Sequence, residues 1–236
     1  MGDELCAARR MLLSRNNAHA RHMLITAGPT REPIDDVRYI ANRSSGRMGL
    51  SLADAARAAD WQVTLLLGPI EQECRGDYVV ERFESAADLE IMLDAHFPRC
   101  DVLVMTAAVA DYRPVRAAVA KLPRTGGTHV LELESTPDLV ARCATMKRPD
   151  QHIVGFALED PSVLESRARE KLQRKRLDAI VANPLETMGG ETIEACIFAA
   201  ETDVGCDTIQ VVRFERLKKS EFASRLIDWI ECRWSR

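Results

Sequence analysis

The chain has 236 residues, enough to bury a substantial core, with a formal net charge of -4 at pH 7 and an isoelectric point near 5.8. That balance excludes a general attraction to nucleic acid or an anionic membrane, so any basic function must be local. No apolar run reaches the roughly 20 residues that span a bilayer, and Met11-Leu12-Leu13 is too short for a signal-peptide core. Seven scattered cysteines without a CxxC pair and five dispersed histidines without HExxH fit a reduced cytoplasm and predict no protein-bound transition metal.

Residues 1–22 lack a sustained period and read as an N-terminal extension to a single α/β domain over 23–236. The strand HMLITAG breaks at Gly28-Pro29-Thr30, the end at which open α/β sheets hold ligands. After a polar loop, Ser44-Ser45-Gly46-Arg47-Met48-Gly49 leads into the helix LSLADAARAADW. A Ser or Asn there can cap the helix, the glycines allow close approach to free N–H groups, and Arg47 adds charge, so the segment can hold a phosphate. Taken alone, the hexapeptide reads rather as a capped helix with small residues packed on a sheet. GxGxxG and GxxxxGK[ST] are absent, which weighs against an NAD(P) oxidoreductase.

WQVTLLLGP and VVERF follow as strands, then a helix with the capping box Ser85-x-x-Asp88 and with Leu89, Met92 and Leu93 inward. The buried strand DVLVMTAAVA precedes DYRPVRAAVAKLPRTGGT, a long loop of the kind that often carries function. HVLELE is a strand, Thr136 an N-cap with Pro137 at the first helical position, IVGFALE a strand, 162–176 a charged helix and DAIVAN a strand. EACIFAA and TIQVVRF form a hairpin around Thr202 to Asp207, a flap or an oligomer contact, and an amphipathic helix with Phe222, Leu226, Ile227 and Ile230 on one face closes the chain. This alternation predicts a Rossmann-like, mostly parallel sheet with helices on both faces, plus a small β-hairpin or flap near 190–214.

Asp111 ends an apolar strand, where it can accept from a ribose or base, help hold Mg²⁺, or simply form a turn. Lys121 lies in a loop with Arg113, Arg116 and Arg124 that can fold over polyphosphate or stay solvated. Lys171 and Lys175 share a helix face and can grip a triphosphate, or lace that face with weak ion pairs to neighbouring glutamates. Phe156 can stack on a base or belong to the core. There is no GxSxG elbow, and Asp35-Asp36 reads as a solvating or capping pair rather than as an acid and base.

Taken in order, ITAGPTREPIDDVRYIANRSSGRMG, AAVADYRP, Lys121, TPDLV, VGFALE and AREKLQRKRLDAIVAN resemble phosphopantothenoylcysteine synthetase over about residues 23–183. In many bacteria that synthetase is fused behind a flavin-dependent decarboxylase; this chain looks like a stand-alone form without flavin. The resemblance implies ligation of 4'-phosphopantothenate to L-cysteine in coenzyme A biosynthesis, with CTP in bacteria or ATP in eukaryotic relatives. It further implies Mg²⁺ on the triphosphate, a homodimer, and small-molecule partners rather than nucleic acid or membrane. By motif, Asn42 matches the active-site asparagine and Lys121 a catalytic, nucleotide-facing lysine. Gly28, Met105, Thr106, Ala107, Asp111, Pro137, Asp138, Leu139 and Val140 match nucleotide contacts, Phe156 a base-side contact, and Lys171 and Lys175 phosphate-side lysines. Ser44, Ser45, Gly46, Arg47, Met48 and Gly49 fall near the phosphopantothenate. The chain departs from the family at Leu122-Pro123-Arg124, where relatives carry lysines, at Thr136, where Asn is common, and after Asn183. Those departures keep open an alternative, a non-catalytic nucleotide-sensing or scaffold protein on the same fold.

Overall fold

A computed structural model describes residues 21–124, 126–201 and 208–234, so most of the expected extension and the tip of the expected hairpin lie outside the described residues. In chain order the strands are β1 (His22–Ala27), β2 (Arg31–Pro33), β3 (Tyr39–Ala41), β4 (Gln62–Leu67), β5 (Val79–Arg82), β6 (Val102–Met105), β7 (Tyr112–Pro114), β8 (Leu133–Ser135), β9 (His152–Glu159), β10 (Ala179–Pro184), β11 (Thr192–Ala200) and β12 (Ile209–Lys218). The helices are α1 (Arg47–Ala58), α2 (Ala86–His96), α3 (Leu139–Met146), α4 (Leu164–Arg174) and α5 (Lys219–Trp234).

Eight strands form one sheet in the order β12-β11-β10-β9-β6-β1-β4-β5. From β5 to β10 all pairings are parallel. Strand order reverses between β1 and β6, which makes their C-terminal ends the switch point where such sheets bind ligands. The expected hairpin is present, and its strands β11 and β12 extend the central sheet antiparallel at one edge.

Strand alternation divides the core into two layers. Met23, Ile25, Val104, Val154 and Val181 meet Leu52, Ala53 and Ala56 of α1 and Phe222, Leu226, Ile227 and Ile230 of α5. Leu24, Leu66, Leu103, Ile153 and Ile180 face the other way, onto Leu89 and Leu93 of α2, Leu139 and Cys143 of α3, and Ala168 and Leu172 of α4. Each such leucine or isoleucine stabilises the fold by about 2 kcal/mol through burial. The capping box of α2 forms as expected, Ser85 and Asp88 exchanging hydrogen bonds across the first turn.

At the opposite edge from the switch point, Asp178 receives Lys147 Nζ at 2.7 and 2.8 Å and the Ile153 N–H at 2.7 Å, with His152 Nδ1 3.7 Å away. Burial works against its charge, but His152 and Lys147 outweigh it and hold the carboxyl below its ordinary value. A carboxylate depressed in the fold contributes stability above its unfolded pKa and loses it as pH falls through the folded one. Asp178→Ala strands the partly buried Lys147 ammonium and should cost about 3 kcal/mol at pH 7 in urea denaturation, with the gap to wild type closing in acid.

Candidate active site

Three short segments that read as loops take on defined form at the switch point. β2 and β3 pair as a hairpin, which the sequence pattern left as a polar loop. β7 pairs with β8, and of HVLELE only Leu133 and Glu134 lie in a strand, the first two residues of β8. Beyond the regular ends of β1 and β6 the two chains stay stitched. Ala108 N–H donates to Gly28 O at 2.9 Å, Ala107 N–H to Thr26 Oγ1 at 3.1 Å, and Ala110 N–H to Thr30 Oγ1 at 3.0 Å; Thr106 Oγ1 donates to Thr26 O. Thr26 and Thr30 are fully buried, and their hydroxyls meet the Ala107 and Ala110 N–H groups and the Met105 sulfur on the neighbouring segment.

This stitching brings the GPT and AAVADY motifs together. Asn42, exposed just after β3, donates from Nδ2 to the Val109 carbonyl at 2.9 Å, which aims its amide over the β6 end. Asp111, two residues on, is exposed, and its main-chain oxygen accepts from Thr136 N–H at 3.0 Å. Thr136 is not the N-cap expected: its hydroxyl donates to Ala110 O at 2.5 Å, while Asp138 caps α3 by accepting from Ala141 N–H at 3.2 Å. The helix starts two residues later than the Thr-Pro signal predicts because Thr136 is committed to the strand end. Pro137 and Asp138 are exposed beside it, and Leu139 and Val140 turn into the core.

α4 closes the far side of the crevice. Lys175 Nζ reaches Asp138 at 3.1 Å, and Lys171 Nζ reaches Glu159 at 2.5 Å. Both lysines do form ion pairs, but with Glu159 at the end of β9 and Asp138 at the start of α3 rather than with the neighbouring glutamates of their own helix, which pair with arginines instead. Phe156 is half-buried and packs against the core from β9, one residue past the point where β6 ends its pairing. Met105 is buried, with Thr106 and Ala107 half-buried beyond it. Lys121 is exposed and forms no ion pair with a described residue.

On the other side of Asn42 lies a cavity of about 840 Å³, lined by Arg31, Arg43, Ser44, Ser45, Arg82 and Gly189, among others. The helix start beside it differs from expectation: neither serine caps α1. Gly46 is the N-cap at φ 69°, with no side-chain cap, so the first-turn N–H groups carry no capping oxygen. Arg47 instead reaches Gly189 O at 3.3 Å, and Met48 packs on the core. Gly49 lets α1 lie directly on β1. A Cβ there would stand 2.3 Å from Ala27 Cβ and 2.8 Å from Thr106 Oγ1. Gly49→Ala should therefore push α1 off β1 and cost about 2–3 kcal/mol, read as a lowered urea midpoint at unchanged slope.

Asp35, read from the sequence only as a solvating or capping residue, is tied to a distant segment. Its side chain is fully buried; Oδ1 accepts the Val37 and Arg38 N–H groups at 2.9 and 2.8 Å, and Oδ2 accepts Leu122 N–H at 3.1 Å. Its capping half was legible, since an Asp two residues before a turn commonly accepts in this way. The tie to residue 122 had no local signal. Thiol chemistry has no support here: burial pushes Cys100 and Cys143 up to about 12, leaving both protonated at neutral pH.

The fold is a doubly wound α/β sheet whose switch point gathers an amide, the uncapped start of a helix and two paired lysines. The chain belongs to the family described as DNA/pantothenate metabolism flavoprotein C-terminal domain, which matches residues 18–232. Among similar proteins, a cysteine/cysteine sulfinic acid decarboxylase of an unknown prokaryotic organism is 39% identical over 214 residues, 89% of this chain and 57% of its own. The coenzyme A biosynthesis bifunctional protein CoaBC of Bacillus subtilis is 37% identical over 185 residues, 78% of this chain and 44% of its own. The crystal structure of the C-terminal domain of CoaBC superposes with a TM-score of 0.74 at 32% identity, covering 91% of this chain and 97% of that one. The chain spans about half the length of the curated relatives it matches.

Proposed function

We propose that this chain is a phosphopantothenate–cysteine ligase of coenzyme A biosynthesis that activates its acid substrate with CTP. The observation that carries this reading is the Asn42–Val109 hydrogen bond, which locks the two most specific motifs of the chain into one site. Family membership and the likeness to the CoaBC C-terminal domain support it.

A carboxylate is too poor an electrophile to meet an amine directly at neutral pH. In the proposed reaction it attacks the α-phosphorus of CTP, pyrophosphate leaves, and the cysteine amine displaces CMP from the acyl-cytidylate. No nucleophilic side chain is required; positioning and charge neutralisation suffice, and the exposed side chains at this edge are of that kind. Asn42 holds the activated acyl group, and Lys121 neutralises charge developing at phosphorus. Gly28, Met105, Thr106, Ala107, Asp111 and Pro137 to Val140 line the nucleotide, Phe156 lies on its base side, and Lys171 and Lys175 exchange Glu159 and Asp138 for phosphate. Ser44 to Gly49 face the phosphopantothenate across the uncapped start of α1. Among the described residues no cluster of three or more metal-ligating side chains occurs, so the fit for Mg²⁺ is the kind that arrives on a triphosphate, with Asp111 as the exposed carboxylate beside it.

A homodimer is part of the proposal. Tyr39, Tyr112, Val115, Val119, Val130 and Leu133 are exposed on or beside the two small hairpins, an apolar surface a second copy can cover. A cytoplasmic location is supported by the free thiols Cys74, Cys100, Cys143 and Cys196, but not by Cys232, which is disulfide-bonded. No helix among the described residues is long and apolar enough to cross a membrane.

The test is pyrophosphate release dependent on 4'-phosphopantothenate, run with CTP and separately with ATP, followed by cysteine-dependent product formation. Release with CTP is expected. Release with ATP alone overturns the nucleotide assignment, and release with neither favours nucleotide sensing without catalysis. CO₂ evolved from cysteine or cysteine sulfinate by this chain would instead align it with the decarboxylase-named relative.

A further inference from the structure

We propose that Asp35 is a positioning residue: by clamping the Leu122 peptide to the β2–β3 hairpin, it sets where the Lys121 ammonium stands relative to Asn42. The inference rests on the ligation reaction proposed above and adds to it a residue that never touches substrate.

A carboxylate that only caps a turn needs one oxygen. Oδ1 does that work here, accepting Val37 N–H and Arg38 N–H. Oδ2 would ordinarily face water on so exposed a hairpin, yet the Asp35 side chain is fully buried. It accepts Arg38 Nε at 2.9 Å, Arg38 Nη2 at 2.5 Å and Leu122 N–H at 3.1 Å. Arg38 then turns the pair into a ring, because the same Nη2 donates to the Leu122 carbonyl at 2.8 Å. Residue 122 is thus gripped at both its main-chain polar atoms, one on each of its two peptide groups, by one ion pair. Ala118 N–H adds a second tie, to Ile34 O at 2.9 Å.

The two ends of this clamp carry the two residues on which the reaction depends. Lys121 immediately precedes the gripped residue, and Asn42 follows β3, whose Ala41 pairs with Arg31 in the same hairpin. Apart from these ties the segment from Val115 to Arg124 is mostly exposed and without regular structure, so a cation on it would range over several ångströms. Burial opposes the Asp35 charge, but hydrogen bonds from Arg38, Val37 and Leu122 prevail and keep the carboxyl well below the usual range, so the clamp stays charged at working pH. Both contacts to residue 122 are main-chain contacts. The grip therefore does not depend on which side chain stands there, which reconciles Leu122 with the lysines of relatives.

Asp35→Asn separates the two jobs. The amide oxygen can still cap the turn, whereas its NH₂ in place of Oδ2 faces donors from Arg38 and Leu122 and breaks the clamp. In the pyrophosphate assay the variant should lose about tenfold or more in kcat, with the KM for 4'-phosphopantothenate within about twofold of wild type. Added to Lys121→Gln it should cost less than about twofold more, because a misplaced cation and an absent one fail alike. Wild-type kcat in Asp35→Asn, or losses that multiply in the double variant, would overturn the positioning role. Amide exchange in the ligand-free protein tells this failure from failure of the ligase reading. Exchange over residues 116–124 should be faster in Asp35→Asn than in wild type, and equal exchange sinks the clamp whatever activity is found. A wild type that releases no pyrophosphate sinks the ligase reading, and with it the role assigned to Lys121.

Discussion

Asn42→Asp should leave pyrophosphate release near the wild-type rate while slowing amide formation about a hundredfold or more, so that an activated acyl intermediate accumulates. The reason is geometric and electrostatic. Asn42 Nδ2 spends one hydrogen on the Val109 carbonyl at 2.9 Å, which fixes the plane of the amide and leaves its second N–H and its oxygen for the ligand. A carboxylate of the same shape has no hydrogen to give. It would face the Val109 carbonyl oxygen with like partial charge and swing away, and it would also repel the oxyanion that forms when cysteine attacks. Loss of one such donor costs about 3 kcal/mol in the transition state, about a hundredfold in rate. In the proposed reaction the nucleotidyl step makes no such demand on this amide. Rapid-quench separation of the two half-reactions checks the prediction; equal loss in both removes Asn42 from the second step.

Lys121→Gln should have the complementary effect, lowering pyrophosphate release about a hundredfold with both nucleotides and leaving turnover of a pre-formed acyl nucleotide close to normal. Lys171 and Lys175 already face Glu159 and Asp138, so binding phosphate obliges them to give up a partner. Lys121 forms no ion pair with a described residue, and its charge is available at no such cost. Gln keeps polarity at a reach one atom shorter but removes the charge that, in the proposed reaction, offsets the negative potential building on the phosphate oxygens, an effect enlarged where water is excluded. Single-turnover pyrophosphate release is the measurement. A normal rate would show that the loop cation is not used at phosphorus.

Much of the frame was legible because local rules and global packing agree. Alternation in HMLITA and DVLVM sends odd and even residues to opposite faces, and the two core layers follow that division. Ser85 and Asp88 wrote their capping box in three residues' spacing, and Phe222, Leu226, Ile227 and Ile230 wrote the buried face of α5. Prediction failed where a polar side chain had a distant main-chain alternative. Thr136 is a good N-cap by local chemistry, but the Ala110 carbonyl lies within reach only once β6 and β7 are placed, and it wins the hydroxyl. Ser44 and Ser45 lost the cap of α1 to Gly46, because the tight turn over Ile70 demands a left-handed residue.

The order of amino acids was enough to specify a mostly parallel sheet clad on two faces and the two loops, after β1 and after β6, that meet at its switch point, since periodicity and turn chemistry act over a few neighbours. Tertiary structure alone decided how those residues are held. The grip of Asp35 on residue 122 spans 87 positions, and that of Asn42 on Val109 spans 67. Hydrogen bonds of that reach leave no trace in local spacing. The first exists because folding removes water from the Asp35 carboxylate, which must then find its partners in the protein.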